Sequence, residues 1–149
     1  LSQLANDTKE IQDSSIKLTV TSPPFLDIVQ YSEDNWMRCW FNGIDSSEVG
    51  KKITMSKTTL EWSRNMQEVI QEVYRITQSG GHLAFEVGEI RNQSVKLDNL
   101  VIPLGISAGF EIIQVFINVQ DFTKTSNLWG VSNNAKGTNT NRIVLMRKP

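Results

Sequence analysis

Apolar and polar positions along the chain fall into blocks of two periods. Ile16, Leu18 and Val20 alternate with Lys17, Thr19 and Thr21. This is the period-two pattern of a half-buried strand, and all but Lys17 and Leu18 are β-branched. The strand is predicted to stop at Ser22-Pro23-Pro24, because neither proline has an N–H for a ladder and each holds the preceding residue extended. Over 58–79 the period becomes helical. Met66, Val69, Ile70, Val73, Tyr74 and Ile76 fall mostly three and four apart, Thr58 and Glu61 have capping-box spacing, and Gly80-Gly81 reads as the helix end. His82–Val87 reads as a buried strand, closed by Gly88-Glu89.

Residues 98–109 read as a second helix, with Asp98 as cap, an apolar side from Leu100, Val101, Leu104 and Ile106, and Gly109 at its end. Pro103, near its first turn, starts that helix late or bends it. Glu111–Val119 is a long strand, and Asn141–Met146 is the last. Before the first strand, Leu1, Leu4 and Ile11 suit a short helix or an extended lead-in, and Asp13-Ser14-Ser15 is a turn.

Two stretches keep neither period. Residues 26–56 mix Tyr31, Trp36, Trp40 and Phe41 with Asp27, Asp34, Asn35 and Arg38. Long segments of this kind inside a domain are functional or disordered. Trp36 and Trp40 lie one turn apart, which predicts a short helix with Trp40 and Phe41 packed on the core. Residues 120–140 are rich in Ser, Thr, Asn and Gly around Trp129. They read as a loop between neighbouring strands, suited to phosphate and sugar contacts or else disordered. Together the elements predict an α/β fold in a single domain, 1–149, with no internal repeat and no linker.

Composition changes this picture in few places. The chain has 149 residues, 39% hydrophobic and 21% charged, with net charge −1. Residues 122–149 hold five basic residues (Lys124, Lys136, Arg142, Arg147, Lys148) and no acidic one, so the first 121 carry −6. A basic tail on an acidic body suits a phosphate-facing edge, or is a solvated loop with chance charge. One cysteine and one histidine exclude an internal disulfide and a Cys/His metal centre, so no metal is expected. His82 reads as structural. With no signal peptide and no apolar run of spanning length, the expectation is a cytoplasmic protein with no membrane partner. The first residue is Leu, which suggests trimming or a longer parent chain.

The chemistry concentrates at the proline corner. Open α/β sheets place ligands at the carboxyl ends of their strands. The corner offers the Ser22 hydroxyl, the Pro23 carbonyl and the Phe25 ring. A flat base with an exocyclic amine can stack on Phe25 and donate its two N–H bonds to Ser22 and Pro23. Two fixed acceptors favour the pyramidal, charge-bearing nitrogen of a transition state over the planar ground state. Glu86, in an apolar strand, reads as a carboxylate with a core partner, or as one facing the corner with Glu89.

Thr21-Ser22-Pro23-Pro24-Phe25 resembles the catalytic motif of the DNA amino-methyltransferases, (Asp/Asn/Ser)-Pro-Pro-(Tyr/Phe/Trp). The resemblance covers nearly the whole chain from Ile16 to Lys148. It implies methyl transfer from S-adenosylmethionine to the amino group of a base flipped out of DNA, cytosine N4 ahead of adenine N6. It makes Ser22, Pro23, Pro24 and Phe25 catalytic, and Asp27, Tyr31 and Trp36 candidates for the pocket wall. It also implies a class I (Rossmann-like) methyltransferase sheet, strands four to seven, with the last pair antiparallel. The Gly-rich turn of that family's cofactor half does not occur in the sequence. The cofactor seat is therefore expected largely outside this chain, supplied by another segment or by self-association. Two rivals are an RNA or protein-glutamine methyltransferase, whose motif usually begins with Asn, and a non-catalytic fragment that binds nucleic acid or a partner subunit.

Overall fold

In the computed structural model, residues 4–24, 35–54, 56–90, 95–119 and 140–149 are described. They fall into two compact units, one of residues 1–23 with 63–149, the other of residues 24–62.

The first unit is built on a four-stranded sheet, ordered β1-β2-β6-β5. Its strands are β1 (Ile16–Thr21), β2 (Thr77–Val87), β5 (Glu111–Val119) and β6 (Thr140–Arg147). β1 and β2 are parallel, with Leu18 opposite His82 and Thr21 opposite Phe85. β6 runs antiparallel to both β2 and β5. A short antiparallel ribbon, β3 (Glu89–Ile90) with β4 (Val95–Lys96), follows β2.

Alternation along these strands sorts side chains onto two unlike faces. One carries Leu83, Phe85, Val144 and Met146, all fully buried. A helix, Asp98–Ala108, lies on this face; a Cβ placed on its Gly105 would run into the Met146 sulfur. The long helix, Thr59–Ile76, buries Met66, Ile70 and Val73 along one stripe. Its Tyr74 ring meets Phe110 edge-on at 5.0 Å and stands against Gly109, which ends the other helix at φ 107°. A side chain at Gly109 would need both that left-handed backbone and the space the ring fills. The opposite face of the sheet is far less covered. Leu18 and Val20 are 57% and 72% exposed, and Ala84, Ile143 and Leu145 are half-buried.

The helix over Thr59–Ile76 is shorter than its sequence pattern suggests. Thr77 already pairs with Ile16, its hydroxyl donates to the Val73 carbonyl, and Gly80 and Gly81 bond to Lys148. The segment 77–81 is therefore drawn into the sheet as a bulged start to β2. At the other end the cap is as expected, since Thr58 Oγ1 accepts from the Glu61 N–H at 3.1 Å. The Glu61 carboxylate accepts from the Lys57 N–H, one residue before the cap.

Residues 4–15 form turns, neither helix nor strand, strapped to the long helix. Glu72 accepts from the Thr8 amide and hydroxyl, while Arg75 donates to the carbonyls of Thr8 and Ile11 and pairs with Asp13 and Glu72. The Ser14 and Ser15 amides then bond the carbonyls of Arg75 and Ile76. The strap sets the place where β1 begins.

In the second unit, α1 (Trp36–Phe41) and α2 (Ser46–Lys52) are two short helices in chain order before the long helix α3 (Thr59–Ile76), which begins in this unit; Asp98–Ala108 is α4. The Asp45 side chain caps α2 through the Ser47 hydroxyl and N–H, which hold its carboxyl below the usual range. The aromatics of α1 correct the expectation of core packing. Cys39 is its buried residue, while Trp40 and Phe41 are 72% and 81% exposed. The apolar positions 36, 37, 40 and 41 spread over more than one face of a two-turn helix, and too little of this unit surrounds it to cover them.

Candidate active site

The site is built on the carboxyl end of β1. The strand ends at Thr21, and Ser22, Pro23 and Pro24 continue it as backbone outside any ladder. Ser22 is exposed, and both prolines are half-buried. Among the described residues no group donates to the Pro23 carbonyl. The Pro24 carbonyl, in the second unit, accepts from Trp62 Nε1 at 3.0 Å, and Trp62 is 2% exposed. A buried indole N–H needs an acceptor, so this bond holds the Pro24 carbonyl to the first turn of α3 within the second unit. The sequence signal for it is a tryptophan among the polar first residues of an amphipathic helix.

Phe25, Asp27 and Tyr31 lie outside the described residues. Trp36 opens α1 in the second unit and is 55% exposed. The sequence-predicted residues that stand together are therefore Ser22, Pro23 and Pro24, as consecutive positions of one turn.

Glu86 stands differently from a core-paired carboxylate. Thr21, the last residue of β1, is opposite Phe85, so Glu86 follows the last β1–β2 pair on β2 as Ser22 follows it after β1. Glu86 is half-buried on the less covered face, opposite Ile143 of β6. It has no ion pair or hydrogen bond among the described residues. Period two decides this: Phe85 and Val87 fill the core face, so the residue between them points away from it.

The buried pair at this end of the sheet is another one. Arg142, opposite Val87, bonds Asp98 Oδ2 at 3.2 Å, with side chains only 10% and 8% exposed. Asp98 therefore holds the start of α4 to β6 and does not cap the helix, whose preceding residue Leu97 makes no side-chain cap bond. Asp98 Oδ1 is buried without a partner among the described residues.

The described basic residues of the tail do not share one edge. Arg142 is spent on Asp98, and Lys148 donates to the Tyr74 carbonyl and lies 4.4 Å over the Tyr74 ring. Arg147 is exposed beside His82, at the far end of β2 from the corner. Lys124, Lys136 and Trp129 lie outside the described residues.

An adenosyl cofactor in an α/β sheet sits on a strand–turn–helix whose turn offers free N–H groups. The two turns at the carboxyl ends of β1 and β2 are not of this kind: the one after β1 has no N–H at 23 or 24, and Gly88 leads from β2 into the short strand β3 and not into a helix. Among the described residues no group of three acidic, His or Cys side chains could hold a metal, and no helix is long and apolar enough to cross a membrane.

No protein-family model and no curated protein matches the sequence. Solved structures do match. A candidate DNA modification methylase from Thermus thermophilus (TTHA0409), complexed with S-adenosyl-L-methionine, superposes at TM-score 0.58 and 18% identity, over 97% of this chain and 51% of its own. The PvuII cytosine-N4-specific DNA methyltransferase gives 0.57 and 14%, over 95% and 45%. The [4+2]-cyclase SpnF gives 0.52 and 12%, over 99% and 55%. The chain thus spans about half the length of these structures. At such identities the likeness is one of fold, that of the class I S-adenosylmethionine-dependent methyltransferases. The mixed sheet, with a parallel β1–β2 pair and an antiparallel last pair, agrees with strands four to seven of that fold.

Proposed function

We propose that this chain is the target-binding half of an S-adenosylmethionine-dependent methyltransferase that acts on the exocyclic amine of a DNA base, cytosine N4 ahead of adenine N6. The observation that carries the reading is the position of Ser22-Pro23-Pro24 at the carboxyl end of a parallel strand, with the Pro23 carbonyl free of any described donor. The Ser22 oxygen and the Pro23 carbonyl accept the two amine N–H bonds. Their dipoles stabilise positive charge that grows on nitrogen as it pyramidalises, and a preorganised pair needs no reorientation at that moment. Pro24, anchored through Trp62, keeps the turn stiff. Phe25 takes the face of the flipped base. Glu86, one residue past the last β1–β2 pair as Ser22 is, is the carboxylate offered for the proton the amine must lose.

The methyl donor is S-adenosylmethionine, seated by residues other than those described. DNA is the partner of this reading. The cyclase among the structural matches is a reminder that the fold alone does not name the reaction.

The test is methyl transfer from radiolabelled S-adenosylmethionine to DNA duplexes. The assay uses the polypeptide of the native reading frame that carries this chain with its flanking sequence. Ser22→Ala is expected to lower turnover about 100-fold, the scale of losing one oriented transition-state contact, with DNA affinity and melting temperature unchanged. Transfer to RNA or protein glutamine in place of DNA would reassign the substrate. Unchanged turnover in Ser22→Ala would remove the mechanism.

A further inference from the structure

β5 is the outer strand of the main sheet on the side away from β1, and among the described strands it pairs with β6 alone. Its large apolar side chains are open on both faces. Phe116, opposite Ile143 on the less covered face, is 47% exposed. Ile117, opposite Arg142 on the core face, is 54% exposed. A layer laid on one face would cover one of them and leave the other in water. A strand alongside flanks both. The ladder to β6 is interrupted between Ile112 and Gln114, and beyond that bulge Gln114–Val119 pairs in regular register. This stretch has no charged residue and no proline, the usual devices that keep an outer strand from pairing with another chain.

The order of side chains in it says which strand fits. Gln114-Val115-Phe116-Ile117-Asn118 runs amide, β-branched, aromatic, β-branched, amide, and reads the same in reverse. We infer that the β5 edge is a docking surface for a second copy of this chain, the two β5 strands pairing antiparallel about a two-fold axis at Phe116. Antiparallel two-fold pairing sets each residue opposite its mirror position in the strand, so a palindrome pairs like with like. Phe116 then meets Phe116 of the second copy. Val115 meets Ile117 on the other face, and Gln114 meets Asn118, each carboxamide holding both a donor and an acceptor. The pattern also keeps faces in step, since positions 114, 116 and 118 share one side of the sheet and 115 and 117 the other. An unrelated strand can use the same backbone groups, but only pairing with its own copy calls for a palindrome. So short a ladder buries an area at the low end of specific interfaces, which makes the dimer weak and concentration-dependent. The pairing does not depend on the reaction proposed above.

The test uses the polypeptide of the native reading frame that carries this chain with its flanking sequence, followed by sedimentation velocity over a concentration series. The wild type should dimerise reversibly. Phe116→Lys and Phe116→Glu each place like charges directly opposite across the axis, and each should weaken the dimer about 10-fold or more. Melting of the dilute proteins should stay near wild type, because the side chain is half in water already. Mixing the two variants sets Lys against Glu and should restore a dimer, which neither forms alone. Phe116→Cys gives a second reading that adds no charge. Directly opposite strand positions lie within disulfide reach, so oxidation should yield a covalent dimer, while the wild type, whose single cysteine is the buried Cys39, should not. A wild type that stays monomeric over the whole series overturns the inference, and leaves the edge to a different strand or to none. So does a dimer that survives both charged variants, a mixture that stays monomeric, or a Phe116→Cys protein that does not cross-link.

Discussion

Glu72→Gln tests the strap that sets the start of β1. Glu72 is 13% exposed at its side chain, and the Arg75 guanidinium lies 2.7 Å from it. Its pKa is lowered from 4.5 to about 2, first by the bond from Arg75, against the opposing desolvation, and then by the Thr8 hydroxyl and amide. At about 1.4 kcal/mol per pKa unit the shift corresponds to roughly 3 kcal/mol. Water around the partly exposed guanidinium screens part of that, which leaves about 1–2 kcal/mol. The folded pKa lies below the unfolded one. The contribution is therefore present above pH 4.5 and lost as pH falls toward 2, with roughly half gone by pH 3. Urea denaturation should find Glu72→Gln less stable by this amount at pH 7, with the gap to wild type closing as the acid range is entered. Amide exchange in residues 4–15 should quicken in the same variant. A gap that stays constant from pH 7 to pH 3, or no gap at pH 7, would refute the argument that a charged Glu72 holds the strap.

Two further substitutions probe the ends of the site. Trp62→Phe keeps a ring but loses the N–H that holds the Pro24 carbonyl; it should cost about 1–2 kcal/mol in urea denaturation and lower methyl transfer more than DNA affinity. Asp98→Ala takes the carboxylate from the buried Arg142 guanidinium and should cost about 3 kcal/mol. The apolar double change Asp98→Leu with Arg142→Met should recover most of that, because it removes the buried charge together with its partner.

Ser22-Pro23-Pro24 is legible in the sequence because its cause is local. Alternation sets β1, and prolines without N–H groups end a ladder in any context. The same holds for the Thr58–Glu61 cap, the stripe Met66–Ile70–Val73 and the left-handed Gly109, which depend on neighbours three or four residues away. Segment 77–81 misleads for the opposite reason. Two glycines after a helical stripe look like a helix end, but Ile16 and Lys148, remote in sequence, offer partners that draw Thr77–Gly81 into the sheet.

What the sequence determined by itself was the four strands of the main sheet, the two longer helices, their order and the residues of the corner, since propensity, periodicity and proline geometry act over a few residues; the short helix Ser46–Lys52 and the ribbon β3–β4 were not legible in it. Tertiary structure alone decided the rest. Pairing distant strands put Glu86 on the less covered face and sent Asp98 to Arg142 and Lys148 to Tyr74. It also left Leu18, Val20, Trp40 and Phe41 in water. An apolar residue is written the same way whether or not another layer covers it, and only the folded chain reveals which face of β1 is covered and which is exposed.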